Sequence, residues 1–124
     1  MAIISFSPDT IIEYVPAYGG NRDSDNPCII RMKFVPFSKV QHYYKLRIAR
    51  TKDLSEPSKI TEISQDIQKK QFVESVESIS GYFVNGKELT APEEFYETAD
   101  SDLIIEIIRA MENAQKLNEG QKKI

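Results

Sequence analysis

The chain has 124 residues, 40% of them hydrophobic and 10% aromatic, with 16 basic and 19 acidic side chains and no tryptophan. This length predicts a single domain over 1-124, able to bury roughly two-thirds of its unfolded surface without disulfides or structural metal. A net charge of -3 excludes the strongly basic nucleic-acid binder and the charge-swollen disordered chain as defaults.

Residues 1-27 read as a strand followed by an exposed loop, 28-118 as the main body and 119-124 as a tail. The strand covers Thr10 to Val15. The loop, Pro16 to Pro27, contains Gly19-Gly20-Asn21 and is expected to be the flexible element. In Cys28 to Val35, Ile30, Met32 and Phe34 alternate with Arg31 and Lys33, the period of a half-buried strand that Pro36 ends. The next segment fits either period: Val40, Tyr43 or Tyr44, and Ile48 share a helical face, whereas Tyr44, Leu46 and Ile48 alternate with Lys45 and Arg47. A helix from about Lys39 to Thr51, capped by Ser38, is the reading adopted.

Lys52 to Glu56 is then a linker, because Pro57 disfavours a helical Glu56. A second helix, capped by Ser55 or Ser58, carries Ile60, Ile63 and Ile67 on one side and has Lys69-Lys70 near its end. Val76 to Val84 runs into Asn85-Gly86, the type I′ hairpin dipeptide, with Lys87-Glu88-Leu89 as the return strand. Thr90-Ala91-Pro92-Glu93 has the form of a capping box and opens a short helix through Phe95 and Tyr96. Asp100-Ser101 caps the last helix, Asp102 to about Leu117, closed by Gly120. Its apolar stripe is Leu103, Ile104, Ile107, Ile108, Met111 and Ala114. The fold class is α+β: a small antiparallel sheet with a hairpin at Asn85-Gly86, packed on three to four helices of which the last is long and amphipathic.

Charge is spread unevenly, with net -3 over residues 1-30, +6 over 31-59 and -6 over 60-124. Attraction between the middle and the C-terminal part, or between copies, is therefore expected. Cys28 is the only cysteine and reads as a small packed residue, which points to a reducing, intracellular setting. No basic leader precedes Ala2-Ile3-Ile4, and no apolar run approaches the ~20 residues of a membrane span, so a soluble cytoplasmic protein is expected.

No catalytic, cofactor or metal constellation emerges. One cysteine and one histidine, His42, supply no zinc spacing, and neither Gly19-Gly20 nor Gly86-Lys87 stands where a phosphate loop needs it. Glu93, Glu94, Glu97, Asp100, Asp102 and Glu106 can be drawn as a carboxylate site, but their places in the first turns and on the faces of two helices suit hydrated side chains. Lys39, Lys45, Arg47 and Arg50, interleaved with Tyr43 and Tyr44, offer cations and aromatic faces that nucleic acid wants. The competing reading is a basic helix paired with the acidic half.

The runs Phe72 to Tyr82, Val84-Asn85-Gly86-Lys87-Glu88-Leu89-Thr90, Pro92 to Tyr96 and Leu103 to Met111 resemble small proteins of bacteriophage and prophage tail modules, regarded as tail assembly chaperones. The resemblance extends loosely from Ile30 to Gly120, about three-quarters of the chain. It implies a non-enzymatic protein in the bacterial host cytoplasm that associates with a tape-measure or other tail protein. It also implies a partner surface on Leu103, Ile104, Ile107, Ile108 and Met111, beside the default reading of the same stripe as core packing. The alternatives are a virion component, such as a head–tail connector or tail-completion subunit, and a nucleic-acid-binding regulator acting through 39-52. A homo-oligomer is compatible with each.

Overall fold

The computed structural model describes residues 2-4, 6-7 and 10-113. Its backbone of order is a three-stranded antiparallel sheet, β1 (Ile11–Tyr14), β2 (Ile29–Lys33) and β3 (Val76–Ser80), with β2 in the centre. Between β2 and β3 the chain makes a helical hairpin, α1 (Phe37–Thr51) and α2 (Pro57–Ser75). After β3 come the two-stranded ribbon β4 (Phe83–Val84) and β5 (Lys87–Glu88), then α3 (Pro92–Thr98) and α4 (Ser101–Glu112). The expected α+β class is what the chain adopts.

The strands alternate as their sequence demands. Ile12, Tyr14, Ile30 and Met32 turn to one face and are buried, while Ile11, Glu13 and Lys33 turn outward. In β3 the two core residues, Val76 and Ile79, are three positions apart, which a regular pleat would send to opposite faces. A register shift opposite Arg31/Met32 resolves this, since Met32 pairs with Val76 and Arg31 with Ser78, leaving Glu77 as the extra residue of a bulge.

α4 closes the core. Leu103, Ile104, Ile107, Ala110 and Met111 pack with Phe72 of α2, Phe95 of α3 and the inner face of the sheet. Each large side chain contributes about 1.5–3 kcal/mol by leaving water. Phe72 and Phe95 stack with ring centroids 6.0 Å apart, and Tyr82 meets Phe95 edge-on at 4.5 Å.

Helix starts differ from the expected caps, and prolines account for most of the difference. Pro36 serves as N-cap of α1 and its carbonyl accepts from Lys39 and Val40, so Ser38 lies inside the first turn. Pro57 occupies the first turn of α2 with Glu56 as N-cap, between the two expected serines. The capping box at Thr90 does not form: Ala91 is the N-cap of α3, the Thr90 carbonyl accepts from Ile79, and Glu93 turns to Lys69. Asp100 does cap α4, its carboxylate accepting from the Asp102 amide.

Two further expectations change. α2 continues past Lys69-Lys70 to Ser75 and passes into β3 without a loop, because Phe72 and Ser75 are buried by staying helical. The strand expected over Val76 to Val84 breaks at Gly81, whose φ is +78°, so the hairpin is a separate ribbon. A Cβ on Gly81 would lie 2.9 Å from the Pro27 carbonyl oxygen, a closeness only glycine allows. The turn itself is as expected, with Asn85 at φ 53° and Gly86 at φ 80°. The extension of α4 to Leu117, with Ala114 in its stripe and Gly120 at its end, lies outside the described residues.

Candidate functional site

The carboxylates of the C-terminal half have identifiable structural work. Glu106 accepts from the Tyr14 hydroxyl at 2.5 Å and from the amides of Ala17 at 2.7 Å and Tyr18 at 3.1 Å. It thereby ties α4 to the loop after β1. Burial, reinforced by Glu106, pushes the Tyr14 hydroxyl up to about 12. The Tyr18 hydroxyl donates to Asp100 at 2.5 Å, which together with the Asp102 amide holds the Asp100 carboxyl below its usual range. Glu93 and Glu97 both pair with Lys69, joining α3 to α2. Glu94 and Asp102 are exposed.

The loop expected to be flexible is hydrogen-bonded along its length. It forms a 3-10 helix, Tyr18–Asp23, with Gly19 and Gly20 left-handed. The Asn21 side-chain amide donates to the Pro16 and Cys28 carbonyls, and its oxygen accepts from the Cys28 amide. Arg22 donates to the Val15 carbonyl. Cys28 is half-buried beside this loop, and burial pushes its thiol up to about 11, away from the thiolate a nucleophile requires. His42 lies exposed on α1 against Tyr43, remote in sequence and element from Cys28. Among the described residues no three His, Cys, Asp or Glu side chains are grouped to hold a metal ion. Nor is any helix among them long and apolar enough to cross a membrane.

The partner surface expected on α4 is turned inward. Leu103, Ile104, Ile107 and Met111 are buried in the core, so their contacts are with this chain's own sheet and helices. Ile108 is partly buried and reaches a different place, the groove between α1 and α2.

That groove is the feature with unspent surface. Only Tyr43 of the fifteen residues of α1 is buried, its hydroxyl donating to Glu74 of α2 at 2.5 Å. Phe37, Tyr44 and Ile48 are 73%, 56% and 46% exposed. With half-buried Val40 they fall on one side of the helix, because their spacings of three, four and four residues follow the α-helical repeat. Lys39, Lys45, Arg47 and Arg50 are all exposed, and α1 contains no acidic residue. Among the described residues none of the four forms an ion pair; Lys39 lies over the Tyr43 ring and Arg47 over Tyr44. The groove beside them encloses about 460 Å³. Tyr43 and Ile67 lie at its floor, Arg47 on the α1 wall, Ser64, Gln65 and Gln68 on an α2 wall without charge, and Ile108 and Glu112 of α4 at one side.

Comparison of the chain with protein-family models, with curated proteins and with solved structures finds no match. Its function is therefore argued from the arrangement of its own side chains. The cations of α1 were legible as a candidate surface in the sequence. The groove was not, because Ile60 and Ile67 of α2 read as an ordinary packed helix face and the amides and hydroxyls beside them carry no pattern until α2 is set beside α1.

Proposed function

We propose that this protein is a non-enzymatic binding module acting by protein–protein contact, of the kind represented by the phage tail-assembly chaperones that its second half resembles. The observation that carries the reading is α1: a fifteen-residue helix that is basic throughout, with an aromatic and aliphatic line left in water. Contiguous apolar surface of this kind is costly in a chain that works alone and marks a place where another molecule sits.

The test is affinity capture of the tagged full-length chain from infected or induced bacterial cells, with assay of finished particles in parallel. The expected result is a complex with a long tail protein, such as the tape-measure protein, and no chain in the finished virion. Recovery of the chain as a stoichiometric virion subunit favours the connector or tail-completion alternative and overturns the chaperone reading. Recovery of nucleic acid alone overturns the contact reading altogether.

A further inference from the structure

Resting on that contact reading, we infer that the exposed apolar line of α1, along the rim of the α1–α2 groove, binds an acidic amphipathic helix of a partner protein. Three observations select this occupant. The first is shape: Phe37, Val40, Tyr44 and Ile48 span twelve residues, about 16 Å along α1, the length of three helical turns. The second is backbone chemistry. Both walls are helices whose amides and carbonyls are already paired along their length, so they present no strand edge. A bound segment must satisfy its own backbone, and a helix does so.

The third is charge. Every ionised side chain of α1 is a cation, and Lys45 and Arg47 flank its apolar line on either side, whereas in the groove beside it Arg47 is set against Glu112 of α4. An incoming helix with Asp or Glu flanking its apolar stripe meets these cations at the rim while its stripe covers Tyr44 and Ile48.

Among other occupants, a second copy can also offer exposed acids, Glu62, Asp66 and Glu94 among them, and the self-association arm of the test separates it from a helical partner. Residues 114-124 carry Lys116, Lys122 and Lys123 against Glu119 alone, so they repel α1. Nucleic acid wants cations along a continuous track. On α1 only Lys39, Arg47 and Arg50 share an arc of about 80° while Lys45 points away, and the α2 wall adds no cation, so the track is one short helix face.

The test is selection of a displayed library of random helical peptides on the intact protein. The expected consensus has apolar residues at i, i+3 or i+4 and i+7, flanked by Asp or Glu. Affinity of the enriched peptides is expected to fall at least about tenfold in Arg47→Glu and in Tyr44→Ala, and not in Lys87→Glu on the distant ribbon. Thermal unfolding of each variant confirms that the fold is intact, and Arg47→Lys is expected to bind within a few-fold of the parent. A consensus without acidic residues, or peptides that bind Arg47→Glu as well as the parent, overturns the inference. So does tighter binding of a single-stranded oligonucleotide at the same residues, or self-association lost in the same variants. If a partner captured from cells binds Arg47→Glu and Tyr44→Ala unchanged, the groove is the wrong surface and the contact reading stands.

Discussion

Glu106 is a lone carboxylate between Ile104-Ile105 and Ile107-Ile108, and it is there to receive three donors from the other end of the chain. Glu106→Ala leaves two amides and the Tyr14 hydroxyl without their acceptor. Loss of about 2–4 kcal/mol in urea unfolding is expected, and a loss below about 1 would mean that water replaces the carboxylate. Tyr14 links the same contact to pH. Its hydroxyl titrates near 10 in an unfolded chain and at about 12 in the fold, so the folded state keeps a proton that the unfolded state loses. This contribution is fully present below pH 10 and disappears as pH rises through 12. Tyr14→Phe should therefore show a shallower fall in stability over that window, measured by denaturant unfolding at several pH values. The sequence held a clue to Glu106, since a charge set among four isoleucines needs a partner. It held none to which residues would answer, because Ala17 and Tyr18 donate backbone amides that any residue but proline carries.

α1 and α4 are both helices with apolar lines, yet they spend them in opposite ways. Ile107 in α4 is fully buried, whereas Ile48 in α1 is 46% exposed. Ile107→Ala is expected to cost about 2–5 kcal/mol, and Ile48→Ala to change stability by no more than about 0.5 kcal/mol. Unfolding midpoints of the two variants decide this, and equal costs would place α1 in the core. The helices, the alternation of β2 and the Asn85-Gly86 turn were legible because each rests on a local period or a local backbone preference. The α4 stripe reads as core by default, but that the α1 line stays in water was not legible. That depends on the sheet lying against α4, a contact between residues nearly a hundred positions apart. The bulge in β3 was half-legible, since Val76 and Ile79 stand at a spacing that suits no regular strand.

At the scale of the molecule, the opposed segment charges do not neutralise each other through ion pairs among the described residues. Among the described residues Arg31 pairs with Glu13, Lys59 with Glu56, and Lys69 with Glu93 and Glu97, so no pair joins the basic middle to the acidic C-terminal part. The positive surplus is left on α1, facing water. In a chain of net charge -3 this makes a dipolar surface, able to orient an acidic partner before contact and weakened by salt.

The direct passage of α2 into β3 places two structural phases on one covalent junction. Ser75 ends a helix that turns by 100° per residue, and Val76 begins a strand whose faces alternate every residue. A residue inserted there would either rotate the α2 wall by more than a quarter-turn about its axis or send Val76 out of the core. The bend between Thr51 and Pro57, at the far tip of the helical hairpin, carries no such double duty. Evolution can lengthen the hairpin at its tip, but the aim of the groove is set at its base by the packing of a single strand.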